Sequence, residues 1–214
     1  KVLEKDNILN KLNDLGYVAY IIGGYPRDYI LGLETKDIDI CTNALPDIIK
    51  ENFEVVSDNS KYGSLKVQEQ SFIYEITTFR KELKYNGRYP SIEYINTLEE
   101  DLIRRDFTIN TICIDKDNKI IDLMGAIEDL NAKIIKCIGD TEKKLVEDPI
   151  RILRAIRFYG NLSFDLDEKL KQGIFKFGYK ISELTKNQLK REIDKMNKKS
   201  LDLLKEYDLE KYLK

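Results

Sequence analysis

The 214-residue chain contains no histidine. That removes imidazole acid–base chemistry, Ser-His-Asp triads and most zinc sites. It holds three cysteines, Cys41, Cys113 and Cys137, each isolated within an apolar run. An odd, scattered set does not make a disulfide framework. It reads as buried free thiols of a reducing compartment, the cytoplasm. No stretch has the length and apolarity of a membrane span and no signal peptide is visible, so no membrane partner is expected. Charge of one sign is also lacking: 36 basic residues face 38 acidic ones, for a net charge of −2. There is no global basic field, and any contact with nucleic acid must come from local patches. Repeats, low-complexity tracts and long linkers are absent. The first residue is Lys1 rather than Met, which reads as a chain trimmed at its start.

What is present is globular. The chain is 42% hydrophobic and 35% charged, enough for one or two domains with real cores. Up to Gly139 the pattern predicts six or seven strands with three or four helices. A helix is expected over 3 to 15 and another over 43 to 52. Strands at 64 to 69 and 72 to 78 flank a turn at Gln70-Ser71 and read as a hairpin. Residues 80 to 90 are charged, hold Asn86-Gly87 and lack periodicity, which predicts a flexible loop. From Thr141 onward only helices are expected, over 143 to 159, 167 to 179, 186 to 198 and 201 to 213. The predicted class is α+β: a catalytic part over 1–139 and an all-α part over 140–214.

Residues 17 to 41 organise the rest. Tyr17 to Ile22 is a β-prone run, Gly23-Gly24 a turn, and Pro26 suits the first position of a short helix that Gly32 ends. A second strand carries Asp37 and Asp39. Glycines between a strand and a helix let backbone N–H groups approach a phosphate, and Arg27 follows closely. Residues two apart on a strand share a side, so Asp37 and Asp39 project together while Ile38 and Ile40 face a core. Two carboxylates on one face repel unless a cation lies between them. Oxygen-only ligands suit Mg²⁺, which shares its coordination with substrate phosphates. Glu75, in Tyr74-Glu75-Ile76, is a third carboxylate at that cation, or merely sits on the wet face of the sheet, or pairs with a nearby arginine.

Three later clusters add chemistry. Arg104-Arg105-Asp106-Phe107-Thr108-Ile109-Asn110 offers guanidinium forks for phosphate, Asp106 as an acceptor for a ribose hydroxyl, and Asn110 for sugar or phosphate. On its own it equally fits an ion-pair cluster at a helix end. Asp122-Leu123-Met124-Gly125-Ala126 reads as a hinge. In Glu147-Asp148-Pro149-Ile150-Arg151, a helix would put Asp148 and Arg151 on one face. Cytosine and adenine both show an amino donor beside a ring-nitrogen acceptor, whereas uracil and guanine reverse that order. One carboxylate and one guanidinium therefore suit C and A. The plainer reading of the pair is an exposed salt bridge. Arg154 and Arg157 are placed to aid triphosphate or RNA binding, and Arg157 also fits a helix-end charge.

These four motifs, in this order over residues 17 to 158, resemble the polymerase β-like nucleotidyltransferases, in the branch of class II CCA-adding enzymes and bacterial poly(A) polymerases. Arg104 to Asn110 resembles the second signature of that branch almost letter for letter. Asp148 and Arg151 match its base-reading motif. The third signature departs only at Ala126, where a second glycine is usual. The resemblance implies a nucleotidyltransferase head followed by a helical neck. It implies Mg²⁺ held by Asp37 and Asp39, with Glu75 beside them, CTP and ATP as substrates, and a tRNA 3′ end as acceptor. Gly23, Gly24, Arg27, Arg105, Asp106, Asn110, Asp148, Arg151, Arg154 and Arg157 would contact nucleotide. In this family the loop at 80 to 90 helps switch from C to A addition, and Arg88 falls in it. Body and tail domains usually follow the neck; this sequence stops soon after it, which fits either an unusually compact protein or a fragment. CC-only and A-only addition, poly(A) synthesis and, further off, a non-catalytic nucleotide-binding module remain as alternatives. The oligomeric state is open.

Overall fold

The computed structural model describes residues 5–86 and 89–213, with side chains over 8–83 and 90–213. The chain divides into two compact units, Lys1–Arg105 with Asn110–Ala126, and Asp106–Ile109 with Ile127–Lys214. The segment 127–139 thus groups with the helical residues after it, whereas the expected division lay between 139 and 140.

The first unit is built on a seven-stranded mixed sheet. In chain order its elements are α1 (Lys5–Asp14), β1 (Ala19–Ile22), α2 (Gly24–Leu31), β2 (Ile38–Thr42), α3 (Pro46–Asn52), β3 (Glu54–Asn59), β4 (Ser64–Glu69) and β5 (Phe72–Thr78). Then follow β6 (Arg80–Asn86), β7 (Tyr89–Tyr94), α4 (Leu98–Ile103), β8 (Cys113–Ile114) and β9 (Ile120–Ile121). The sheet runs β3-β4-β5-β2-β1-β8-β9. Only β2 and β5 pair in parallel; every other neighbour is antiparallel. The alternation of side chains builds a core on each face. Ile21, Ile38, Ile40, Tyr74 and Ile76 pack with Ile8, Leu12 and Ile49 from α1 and α3. On the other face Ile22, Cys41, Phe79 and Cys113 pack with Leu98 and Leu102 of α4.

Several expectations shift. The hairpin at 64 to 78 is as expected, and Gln70 takes the left-handed turn conformation with φ 55°. Residues 80 to 86 and 89 to 90 are not a structureless loop: β6 and β7 form their own antiparallel ribbon, and residues 87 and 88 lie outside the described residues. Charged residues obscured the alternation, because a two-stranded ribbon has little core to face. Arg88 lies outside the described residues. The helix expected to open at Pro26 begins at Gly24, so Pro26 sits in its first turn, where N–H groups have no helical partner in any case.

The second unit holds α5 (Ala126–Ala132), which starts at the boundary, β10 (Ile134–Ile135), α6 (Thr141–Glu147), α7 (Ile150–Leu162), β11 (Asp165–Leu166), α8 (Glu168–Phe177), α9 (Lys186–Ile193) and α10 (Lys198–Glu206). The helices-only expectation after Thr141 misses β11, which pairs in parallel with β10. The single helix expected over 143 to 159 is two. Asp148 is extended at φ −145°, ψ 95°, and Pro149 follows. A residue before proline avoids the helical region, and this breaks the run. Gly160 lets α10 approach α7, since a Cβ there would lie 2.5 Å from the Ser200 N and overlap its hydroxyl.

Candidate active site

In the first unit the Gly-Gly turn and the Asp-x-Asp segment lie against each other. β1 leads into Gly23, whose φ of 84° favours glycine, and β2 returns beside it with Ile22 opposite Asp39. A Cβ at Gly23 would be 3.0 Å from Asp39 Oδ2. The turn is therefore shaped to let this carboxylate in. Asp39 lies within β2 and is half-buried, whereas Asp37 precedes the strand and is exposed. Ile38 and Ile40 enter the core as expected. In the parallel pairing Glu75 stands directly opposite Asp39, on the same face.

Glu75 also faces Lys66 across β4. Its Oε1 accepts from Ser64 Oγ at 2.9 Å, and Ser64 Oγ in turn accepts from Thr77 Oγ1 at 3.2 Å. The carboxylate is thus satisfied by a hydroxyl, not by the arginine offered as an alternative. Among the described residues no three His, Cys, Asp or Glu side chains are gathered closely enough to hold a metal ion. Asp37 and Asp39 offer only carboxylate oxygens, the donor type that suits a hard cation sharing its shell with substrate oxygens and water.

Arg27 and Asn110, 83 residues apart, meet in this unit: Arg27 Nη1 donates to Asn110 Oδ1 at 2.6 Å. Arg27 Nε donates to Asp28 Oδ1 at 2.9 Å, and both Arg27 and Asn110 are buried. The first and second motifs are thereby joined beside Gly24, whose added Cβ would come within 3.2 Å of Arg27 Nη2. Arg105 forks onto Asp101, with Nη2 at 2.9 Å and Nε at 3.3 Å from Oδ2. Burial would lower the Arg105 pKa, but the Asp101 carboxylate raises it. Arg104 is pulled down to about 10 by burial and by the like charge of Arg105. Sequence reasoning missed Asp28 and Asp101. The spacing of Asp101, three and four residues before the arginines, is the signal that pointed to it.

The second unit carries the remaining candidates. Asp106 Oδ2 accepts from Arg154 Nε at 2.6 Å, and its Oδ1 accepts from the Phe107 N–H at 2.7 Å. Arg154 is held charged by Asp106, against the opposing effect of burial. Asp148 lies in the extended break, not on a shared helix face with Arg151, and its Oδ1 accepts from the Ile150 N–H at 3.3 Å. Arg151 is buried at the start of α7, where Nη1 donates to the Lys144 carbonyl at 2.8 Å and to Glu147 Oε2 at 3.4 Å. Lys144, beneath them, has its pKa lowered to about 8 by burial and by Arg151. Arg157 Nε donates to buried Glu192 at 2.5 Å, and its guanidinium lies 4.4 Å from the Phe158 ring. Arg157 is not the helix-end charge offered as its alternative, because α7 runs on to Leu162 and has no basic residue in its last turn.

Residues 19–136 match the Poly A polymerase head domain family. The chain belongs to that family. A CCA-adding enzyme of Geobacillus sp. (strain WCH70) is 38% identical over 96% of this chain and 53% of its own length. The crystal structure of the Bacillus stearothermophilus CCA-adding enzyme in complex with CTP superposes with a TM-score of 0.91 at 35% identity, over 98% of this chain and 53% of that one. A tRNA nucleotidyltransferase complexed with a primer tRNA and an incoming ATP analogue gives a TM-score of 0.77 at 27% identity, over 96% of this chain and 62% of that one. The chain spans about half the length of the curated relatives it matches. The α+β architecture with a mixed sheet matches the head of these structures. No described helix is long and apolar enough to cross a membrane.

Proposed function

We propose that this poly(A) polymerase head-domain chain belongs to a template-independent RNA nucleotidyltransferase, acting in the cytoplasm, that adds C, C and A to the 3′ end of tRNA from CTP and ATP. The observation that carries the reading is the close approach of Asp39 to the Gly23 turn, which leaves no room for a side chain there: a backbone shaped for phosphate lies beside a carboxylate suited to a hard cation. The relatives named above support the substrates.

In the reaction the RNA 3′-hydroxyl attacks the α-phosphate, a new phosphodiester forms, and pyrophosphate leaves. Asp37 and Asp39 would hold Mg²⁺, which would supply neutralisation of the triphosphate charge and a lowered pKa for the attacking hydroxyl. Glu75 extends the acidic face beside Asp39. The N–H groups at Gly23 and Gly24 cradle phosphate oxygens, and Arg27, braced by Asn110, adds charge there. Arg105 supplies a second guanidinium. Asp106 accepts from the ribose hydroxyl and, with Arg154, forms a polar pair at the sugar. Asp148 and Arg151 read the base edge, accepting from the exocyclic amine and donating to the ring nitrogen. Their anchoring to α6 and to the start of α7 fixes the pattern that C and A share. Arg157 stiffens α7 from behind through Glu192. The division of labour follows residues 1–139 as head and 140–214 as neck.

Extension at single-nucleotide resolution tests this. With Mg²⁺ and a tRNA lacking its 3′ end, CTP and ATP together should give C, C and A and then stop. Poly(A) synthesis is the second reading, favoured by the family the chain matches, and a long adenosine ladder would establish it. A stop after two cytidines would mark a CC-only enzyme. Phosphate release without pyrophosphate would sink both readings.

A further inference from the structure

Asp101 lies outside all the motifs above and is fully buried, at 0% exposure, on α4. A buried carboxylate is costly unless its lone pairs are filled. Here Oδ1 accepts from the Arg80 N–H at 2.9 Å and from Arg104 Nε at 3.2 Å. Oδ2 accepts both bonds of the Arg105 fork. Burial would raise the Asp101 pKa, and Arg105, Arg104 and the Arg80 N–H hold it below the ordinary carboxylate value. Glu82 closes a second loop, its Oε1 3.2 Å from Arg80 Nη2 and 3.9 Å from Arg104 Nη1. Arg80 Nη1 donates to the Tyr62 carbonyl.

Arg80 is the first residue of the β6–β7 ribbon. The residue before it is already pinned: the Phe79 N–H donates to the Thr42 carbonyl at 2.8 Å, and the Phe79 carbonyl accepts from the Ile95 N–H at 3.1 Å. The ribbon therefore leaves the sheet at the end of β2, the strand of Asp39. Its first free amide is fixed by the same carboxylate that fixes Arg105. Leu98 and Leu102, flanking Asp101 on α4, pack on the sheet face that bears Asp39.

We propose that Asp101 is a positioning residue that locks the base of the β6–β7 ribbon to the Arg105 guanidinium, so that a nucleoside triphosphate engaging Arg105 is transmitted to the ribbon. The coupling rests on the reading of Arg105 as a nucleotide contact. The physical basis is that one rigid carboxylate satisfies both partners. Neither can move without leaving a buried charge short of hydrogen bonds.

Amide hydrogen exchange and CTP titration, with Mg²⁺, on the 214-residue chain test this. In the parent chain CTP should slow exchange over Arg80–Asn86 and Tyr89–Tyr94. In Asp101→Asn, exchange there without CTP should rise roughly tenfold while β1, β2 and β5 keep their protection. CTP should bind roughly tenfold more weakly and no longer slow the ribbon. If Asp101→Asn does not fold, Arg105→Lys keeps the charge but loses the fork, and it too should loosen the ribbon. Parent-like ribbon exchange in either variant overturns the proposal. So does acceleration spread evenly over the sheet, which would make Asp101 only a stability residue. Failure of the parent chain to bind CTP would count against the nucleotidyltransferase reading instead, and the CTP-free exchange would still judge the lock.

Discussion

The two aspartates differ in what surrounds them. Asp37 is exposed ahead of β2, whereas Asp39 is half-buried against Gly23 and opposite Glu75. Asp39→Ala should therefore abolish nucleotide incorporation without unfolding the sheet, because it removes a charge from an acidic face rather than apolar packing. Circular dichroism alongside the extension assay checks it, and retained turnover would refute the metal assignment. Arg151 is the opposite case, being buried and hydrogen-bonded to the Lys144 carbonyl. Arg151→Ala should blur the choice among the four nucleoside triphosphates and also cost about 1–3 kcal/mol of stability, since it orphans a buried acceptor. Separate titrations with each triphosphate, together with a denaturant midpoint, distinguish the two effects. Unchanged selectivity would leave Arg151 a purely structural group.

Between elements, close approach governs what can change. Gly160 on α7 lies where the start of α10 packs, with the Asn197 amide donating to the Gly160 carbonyl at 3.0 Å and Ser200 Oγ to the Arg157 carbonyl at 3.3 Å. Gly160→Ala inserts a methyl group into backbone and a hydroxyl that have no room to retreat. The expected cost is about 1–3 kcal/mol, read as a lowered midpoint in urea. The same variant should leave CTP and ATP equally well discriminated, because Asp148 and Arg151 hang on α6 and the first turn of α7 instead. A drop in selectivity would show that α10 supports the base-reading groups.

For the molecule as a whole, pH exposes which charges folding has strained. Lys144 titrates at about 8 in the fold against an ordinary 10.5, because burial and Arg151 disfavour its charge. Below about 8 the buried ammonium is carried at a cost. Between the two values the unfolded chain binds the extra proton, so the contribution of Lys144 to stability rises with pH. Cys137, raised to about 12 by burial, acts in the opposite direction above its ordinary 9. The clean observable is a difference: Lys144→Met should be more stable than the parent near pH 7, and the gap should narrow toward pH 10. A constant gap would show that Lys144 keeps its ordinary pKa.

The sequence by itself determined what is local. The strand, Gly-Gly turn, short helix and second strand with Asp39 are set by residue order and side-chain period, and the core placement of Ile38 and Ile40 followed from alternation alone, whereas Asp37, expected within that strand, falls just ahead of it. The hairpin at Gln70-Ser71 was equally legible. Charge-rich segments were less so. The β6–β7 ribbon read as a loop because charged residues interrupt its apolar alternation, and β11 went unseen because two residues carry no period. The helix break at Asp148 was legible in Pro149 but was outweighed by the apolar spacing around it. Partnership was what only the tertiary structure decided. Asp39 faces Glu75 because β2 and β5 pair in parallel, Arg27 meets Asn110 across 83 residues, and Arg157 is spent on Glu192. A carboxylate or guanidinium is the same residue in every sequence. Whether it meets water, a hydroxyl or an opposite charge depends on long-range packing that no local period encodes.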